Sequence, residues 1–195
     1  MYKTFSHSLI ILTLTALTFI SFLFLEGCSK YSQEVQSNLT KLKTTKSCSG
    51  CDLSGIELIS FDLKNADLSG SNLTGANLSR VDLTEANLTN ANLTDANLVM
   101  SILTGAKLVH TNLSRVKLSY ANITGVDISD SLLVDASMNS SKILNSKISN
   151  TNMMGANLHS ANLTGTKVSE ETLKSAVLCK TVMPSGQKDD SGCKR

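Results

Sequence analysis

The chain has 195 residues, a formal net charge of +2, five cysteines, one proline and no tryptophan. A charge this close to neutral argues against a dedicated nucleic-acid binder, which needs a basic patch to neutralise phosphates, and equally against a strongly acidic mimic of DNA. Aromatic residues make up only 4% of the sequence, so repeated mid-sized aliphatic side chains have to fill the core.

Residues 1–28 are predicted to be an export signal. Lys3 gives a weakly positive start, and an almost unbroken apolar run follows from Leu9 to Leu25. The Leu-Glu-Gly-Cys segment that ends at Cys28 resembles a bacterial lipobox, in which the cysteine becomes lipid-acylated. We therefore predict export, with Cys28 as the candidate lipidation site. An uncleaved N-terminal anchor, or cleavage nearby without a lipid, is the alternative.

Residues 29–50 are predicted to form a linker and an N-terminal capping helix. Ser32 is a suitable N-cap, and Val35, Leu39 and Leu42 follow at helical spacing to form one apolar stripe. An isolated helix of this length is marginal in water, so the stripe is expected to dock on the open end of the region that follows.

Residues 51–169 repeat one five-residue phrase. It consists of a small residue, an Asp or Asn, a Leu, a Ser or Thr, and a variable residue, as in Ala66–Gly70 and Ala86–Asn90. A large aliphatic residue recurs at every fifth position from Leu53 to Val168. A period of five fits neither an α-helix nor a flat strand. It suits a chain that turns a corner every five residues, so that four phrases complete a square coil.

This phrase resembles the repeat of the pentapeptide-repeat family. The resemblance implies an all-β solenoid, a right-handed quadrilateral β-helix of about six coils with short α-helical caps at both ends. It also implies that the central Leu and the residue two before it point inward, while the other three point outward. Residues twenty apart then stack in ladders, one of which contains Leu53, Leu73, Leu93, Leu113, Leu133 and Met153.

Residues 170–195 are predicted to form a C-terminal capping helix, over about 170–179, and a disulfide-tethered tail. Ser169 is a suitable N-cap, and the two glutamates after it favour the positive end of a helix. Leu173 and Leu178 still keep the five-residue period, so a partial seventh coil is the competing interpretation.

The four cysteines other than Cys28 bracket the repeat region. Cys179 and Cys193 are predicted to form a disulfide that clamps the tail to the capping helix. Cys48 and Cys51 form a Cys-x-x-Cys motif, for which a structural disulfide is the favoured interpretation and a free or reactive pair stays open. A thioredoxin-like site would need a βαβ context, and a zinc site would need a second pair within reach.

No catalytic, metal or cofactor site is predicted, and the protein is expected not to be an enzyme. The histidines do not cluster, and the sequence has no Ser-His-Asp arrangement, no HExxH motif and no glycine-rich phosphate loop after a strand. Acidic residues of the first coil stand on different walls, whereas paired-carboxylate catalysis needs two converging groups. The histidines are His7, His110 and His159, and the acidic residues are Asp52, Glu57, Asp62 and Asp67.

One group of outward positions departs from the phrase. Val99, Met100 and Ile102 are apolar where polar residues are expected, and Tyr120 stacks one coil after Met100. An exposed apolar patch of this kind marks an interface, and drift in a degenerate repeat is the alternative.

The favoured function is a non-enzymatic, exported structural or protein-interaction scaffold with an unidentified protein partner and no nucleic acid. The segments Cys48–Gly55 and Leu178–Gly186 look like those of exported cyanobacterial-type family members. This resemblance implies the periplasm or thylakoid lumen, with membrane attachment through an N-terminal lipid or anchor. Two alternatives stay open. Some family members resemble DNA and bind gyrase, which implies a topoisomerase-protecting role, and Cys48 with Cys51 would serve a thiol-redox protein.

Overall fold

The computed structural model describes residues 30–193. Its elements are the helices α1 (Gln33–Thr45) and α2 (Glu170–Lys174) and the strands β1 (Lys147–Ile148), β2 (Lys167–Val168), β3 (Thr181–Val182) and β4 (Lys188–Asp189). Residues from Glu34 onward form one compact unit. None of the helices within residues 30–193 has the length and apolar character needed to cross a membrane. The predicted export signal, residues 1–28 with Cys28 and His7, lies outside the described residues.

The repeat region winds in coils of twenty residues. Residues in the Asp/Asn slot form parallel bridges with residues twenty positions later, from the first coils, as in Asp52 with Asn72, through to residue 182. The Asn72 amide donates to the Cys51 carbonyl at 2.9 Å, and the Asn72 carbonyl accepts from the Leu53 amide at 2.8 Å. Each coil therefore consists of four five-residue walls, and every wall hydrogen-bonds to the same wall of the next coil.

The core of the unit is a stack of aliphatic ladders. The central residues of one wall are no more than 1% exposed, which places them inside the coils: Leu53, Leu73, Leu93, Leu113, Leu133 and Met153. The small slot two residues earlier is equally buried at Ala66, Ala76 and Ala86. Burial of each ladder leucine contributes about 2 kcal/mol before the entropy of ordering is subtracted.

Each wall ends in a tight turn whose third residue has a positive φ. The Ile56 amide donates to the Leu53 carbonyl at 3.3 Å, and Gly55 between them has φ +62°. A type II turn requires a positive φ at this position, which glycine and asparagine adopt most readily. The variable fifth residue of the phrase is therefore the left-handed corner of the coil, although its sequence is the least restricted.

The Asp/Asn slot ties each turn to the neighbouring coil. The Asp52 carboxylate accepts a hydrogen bond from the Ser54 amide at 3.0 Å and another from the Asn72 side-chain amide at 3.0 Å. Lys142 and Lys147 occupy this slot later in the chain and keep their backbone bridges. The bridges therefore do not depend on the side-chain acceptor.

Two buried serines bridge the backbone groups of turns in the preceding coil through their hydroxyl groups. The Thr111 amide donates to the Ser131 hydroxyl oxygen at 3.0 Å, and the Ser131 hydroxyl donates to the Leu108 carbonyl at 2.6 Å. Ser146 bridges the turn at 123–126 in the same manner. In both turns a hydroxyl group from the next coil is inserted between the two backbone groups that the turn brings together.

Ser131→Ala is expected to lower the free energy of unfolding by about 1–3 kcal/mol, because a buried amide and a buried carbonyl both lose their partner. Urea unfolding measures this loss. Ser71→Ala is the matched control, since the Ser71 hydroxyl donates only to the Leu68 carbonyl at 2.7 Å, which the Ser71 amide also reaches at 3.2 Å. An equal loss in the two variants would contradict the bridging role of Ser131.

Helix α1 contacts the first coil through one face. Val35 and Leu42 are buried, and Leu39 is half-buried. The Asn38 side-chain amide donates to the Asp52 carbonyl at 3.0 Å, which joins the helix to the backbone of the first wall.

Helix α2 is shorter than predicted, because it ends at Lys174 and not near residue 179. Ser169 caps its start and accepts a hydrogen bond from the Thr172 amide at 3.1 Å. The chain then returns to the wall, where Val177 forms a bridge with Asn157. Burial of Leu178, in register with the preceding coils, requires this return, so the helix and a partial further coil are both present.

The tail covers one edge of the last coil. Strand β4 pairs antiparallel with β3, and the Gly192 amide donates to the Leu178 carbonyl at 2.7 Å. A Cβ atom on Gly192 would lie 2.9 Å from both the Leu178 nitrogen and the Leu178 oxygen, so no larger residue fits there without a shift. The tail thus occupies backbone groups that would otherwise form an open sheet edge.

Candidate functional site

The four cysteines of the described residues lie in two pairs at disulfide distance. The sulfur atoms of Cys179 and Cys193 are 2.06 Å apart, and those of Cys48 and Cys51 are 2.09 Å apart. Cys48 is fully buried, and its sulfur lies 3.4 Å from the Asn38 carbonyl of α1. Since thiol exchange needs an accessible sulfur, this cover counts against redox chemistry at Cys48 and Cys51.

The titratable residues do not converge on a reaction centre. His110 and His159 lie on different walls, and within residues 30–193 no group of three or more His, Cys, Asp or Glu side chains could hold a metal ion. The acidic residues of the first coil serve local contacts, as when Asp62 pairs with Lys46 at 3.1 Å. Its pKa is lowered by a hydrogen bond from the Lys64 amide and by Lys46.

The apolar corner patch consists of Val99, Met100, Ile102 and Tyr120, which the structure brings together at one corner of the coils. Met100 and Tyr120 occupy the same slot in successive coils, and Ile102 lies in the Asp/Asn slot of the adjoining wall. Met100 is 49% exposed, Ile102 41% and Tyr120 63%, while Val99 is half-buried. Three of the four side chains therefore present large apolar surface to solvent.

Met100 and Tyr120 also have an unfavourable backbone conformation for their size. Their φ angles are +60° and +61°, and in residues 30–193 they are the only large apolar side chains with a positive φ. A bulky side chain in this left-handed region is a genuine outlier that costs about 1–2 kcal/mol. Asn90 occupies the corner slot of another wall with φ +61°, so a less costly residue fits the same geometry.

Two cations flank the apolar corner patch. Arg80 lies one coil before Met100 in the same slot, and Lys117 lies on the wall that ends at Tyr120. Neither forms an ion pair with a carboxylate of the described residues. Both side chains are exposed.

Exposed apolar residues also occur outside the four predicted patch positions. Ile59 is 51% exposed and lies two coils before Val99 at the same corner, with Ser79 between them. Its apolar character in the Ser/Thr slot was visible in the sequence and pointed to the same side of the coils. Leu132 and Met154, which are 45% and 59% exposed, lie on a different wall and form a separate surface.

The repeat is matched by a family model described as pentapeptide repeats, in 8 copies over residues 47–84, 62–98, 102–135 and 145–170. The chain belongs to the pentapeptide-repeat family. The right-handed quadrilateral β-helix of that family is therefore its fold, as the sequence predicts. No protein of curated function matches the chain in sequence.

Three solved structures illustrate the range of similar proteins. HetL, a pentapeptide repeat protein involved in heterocyst differentiation regulation in the cyanobacterium Nostoc, is 27% identical over 73% of this chain and 87% of its own, with a TM-score of 0.29. QnrB1, a plasmid-mediated fluoroquinolone resistance protein, is 16% identical over 64% and 79%, with a TM-score of 0.44. A pentapeptide repeat protein of the Arabidopsis thaliana thylakoid lumen is 21% identical over 75% and 80%, with a TM-score of 0.24. None of these scores reaches 0.5, so the family assignment rests on the repeat itself.

Proposed function

We propose that this protein is an exported, non-enzymatic scaffold that binds a protein partner through the apolar corner patch. A pentapeptide-repeat scaffold supports a protein-interaction role, because its stacked coils offer extended walls. The observation that carries the proposal is the conformation of Met100 and Tyr120. The fold imposes a positive φ at every corner, and bulky, exposed apolar side chains occupy two such corners in successive coils although the backbone disfavours them there. An exposed apolar surface of this kind marks an interface.

The two ends of the unit fit a role as a stable scaffold. We assign residues 51–169 to six coils, with α1 as the N-terminal cap and α2 with the tail as the C-terminal cap. Terminal caps keep repeat proteins soluble, since an open end exposes both apolar ladder residues and unpaired backbone groups. The contacts of Asn38 with Asp52 and of Gly192 with Leu178 support this assignment.

Export is supported by the cysteine pairs and by the apolar N-terminal run. Two pairs at disulfide distance are compatible with an oxidising compartment such as the periplasm or the thylakoid lumen. We assign Cys28 as the candidate lipid attachment site, with an N-terminal anchor as the alternative. Labelling of cells with radioactive palmitate would mark the wild type but not Cys28→Ser in the first case, and neither protein in the second.

The charge distribution counts against the gyrase-protecting alternative. A mimic of DNA needs a dense row of carboxylates, whereas one wall of this chain carries Lys107, Asp127, Lys147 and Lys167 in the same slot. Asp127 is paired with Lys147 at 3.5 Å. The purified protein is therefore expected to leave the inhibition of gyrase by fluoroquinolones unchanged.

The variant Met100→Asn/Tyr120→Asn is expected to lose binding to the partner and to unfold at a higher temperature than the wild type. Removal of each left-handed outlier should raise the free energy of unfolding by about 1 kcal/mol, because asparagine tolerates this conformation. Thermal unfolding measures the gain, and affinity capture from the organism's own envelope fraction measures partner binding. A gain in stability excludes misfolding as the reason for lost capture.

His110→Asn is the matched control for this variant. His110 has φ +56° at a corner on another wall, and histidine tolerates this conformation better than methionine or tyrosine. Its replacement should change stability little and retain full capture. Undiminished capture by Met100→Asn/Tyr120→Asn would show that the partner binds elsewhere.

A further inference from the structure

The apolar corner patch is part of a longer stripe with a cation at one end. Arg80, Met100 and Tyr120 occupy the same corner slot in three consecutive coils, with φ angles of +57°, +60° and +61°. Backbone hydrogen bonds join these corners, as when the Arg80 amide donates to the Val99 carbonyl at 2.9 Å. With coils about 4.8 Å apart, the stripe spans roughly 10 Å between its outer Cα atoms.

Another corner of the molecule shows what an arginine in this slot does when a carboxylate is within reach. Arg115 binds Asp95, one coil earlier in its own stack, with both Nε and Nη2 at 2.7 Å from the two carboxylate oxygens. Hydrogen bonds from Arg115 hold the pKa of the Asp95 carboxyl below its ordinary value. An arginine in the corner slot is therefore well placed to form bidentate hydrogen bonds with a carboxylate one coil away.

Arg80 has no such acid in its stack. Its neighbours in the slot are Ser60 before it and Met100 after it. The nearest acidic residue along the chain, Asp82, is already paired with Lys64 at 3.2 Å. A guanidinium placed for a bidentate contact, exposed and without an ion pair in the described residues, is thus left beside the apolar corner patch.

Lys117 adds a second cation, on the wall that ends at Tyr120. It lies three residues before Tyr120 and is exposed, and no carboxylate of residues 30–193 forms an ion pair with it. Its positive charge helps to lower the pKa of the Asp95 carboxyl, which already forms an ion pair with Arg115. Arg80 thus places a positive charge at one end of the stripe, and Lys117 places another on the wall that leads to Tyr120.

The composition of the stripe matches the energetic centre of a protein interface. Tyr and Arg dominate such centres, and Met is enriched in them. A standard interface buries about 800 Å² per partner, so the stripe would form the centre and the polar walls around it the rim. Complementary charge would steer the encounter and fix the register of the partner.

On the basis of the proposed function, we infer that the partner presents an aliphatic or aromatic side chain with a carboxylate next to it. The apolar side chain packs on Met100 and Tyr120. The carboxylate receives the two hydrogen bonds that Arg80 is placed to donate, and Lys117 attracts further acidic residues at the rim.

A phage-displayed library of random peptides, selected on the purified full chain and counter-selected on Met100→Asn/Tyr120→Asn, tests this inference. The recovered peptides should combine Asp or Glu with a neighbouring aliphatic or aromatic residue. Synthetic copies, measured by fluorescence anisotropy, should bind Arg80→Gln about tenfold more weakly than wild type, because one charge-assisted contact is lost. Arg115→Gln should bind them as wild type does, and binding should weaken as salt is raised.

The inferred partner chemistry is overturned if the peptides depend on Tyr120 but lack acidic residues, or if Arg80→Gln binds them undiminished. Either result would leave the interaction role of the apolar corner patch intact. Recovery of no peptide that distinguishes wild type from Met100→Asn/Tyr120→Asn would also overturn the inference, and capture from the envelope fraction would then decide separately whether the patch binds a folded partner.

Discussion

Leu93→Lys is expected to lower the free energy of unfolding by about 5 kcal/mol or more, and to unfold several coils together. Leu93 is fully buried, in register with Leu73 below and Leu113 above. A lysine ammonium at this position would be desolvated with no carboxylate to pair with, because the ladder contains only apolar side chains. Since each coil is stabilised by its neighbours, the damage spreads along the stack. Circular dichroism during thermal unfolding measures the loss.

Asn92→Lys provides the control, one residue away on the outer surface. Lysine already occupies the same slot of the phrase at Lys107, Lys117, Lys142, Lys147 and Lys167. The substitution removes the hydrogen bonds that Asn92 accepts from Thr94, so a loss of about 1 kcal/mol is expected. A Leu93→Lys protein that melts with the wild type would refute the inward orientation of the ladder.

The Cys179→Ser/Cys193→Ser variant is expected to lose about 3 kcal/mol of stability in denaturant unfolding, because the disulfide closes a loop across the tail. Cys179 and Cys193 are 14 positions apart in the sequence, whereas Cys48 and Cys51 are 3 positions apart. The shorter loop restricts the unfolded chain less, so Cys48→Ser/Cys51→Ser should lose less through this effect. Identical unfolding of the Cys179→Ser/Cys193→Ser variant and the wild type would show that the tail is not held by this bond.

Gly192→Ala separates the docking of the tail from the disulfide itself. Its Cβ would lie 2.9 Å from two backbone atoms of Leu178, which cannot move without disturbing the last coil. Faster hydrogen exchange is therefore expected at the amides of Gly192 and Met183. The Met183 amide donates a hydrogen bond to the Gln187 carbonyl at 2.7 Å. The exchange of amides in the central coils should be unaffected.

The ladders were predictable because the apolar residues that recur every five positions in the sequence are the ones that the fold buries. A large aliphatic residue at every fifth position has to lie on one side of a chain that turns every five residues, and Leu53 through Met153 do so. The left-handed corner was not predictable. Gly, Asn, Arg, Met and Tyr all occupy the fifth slot, so its composition conceals the positive φ that the turn imposes on each of them. The strain at Met100 and Tyr120 is visible only in the structure.

Contacts between coils explain the other differences. The start of α2 was predicted from the local capping signal at Ser169, but its end is determined by the pairing of Val177 with Asn157, twenty residues earlier. The role of Ser131 was equally hidden, because its hydroxyl completes a turn that begins at Leu108. The significance of Arg80 was hidden as well, because only the structure shows that an arginine in this slot can make a bidentate contact, as Arg115 does with Asp95.

The twenty-residue spacing of the bridges has a consequence for how the protein is made. No coil has to wait for a distant segment, because each one pairs with the coil that immediately precedes it in the sequence. A chain that emerges from a translocation channel with its N-terminus first can therefore assemble vectorially, one coil for every twenty residues released. Strand β4 and Cys193 follow all of the coils in sequence. The bond between Cys179 and Cys193 can therefore form only after the coils that precede them have been released.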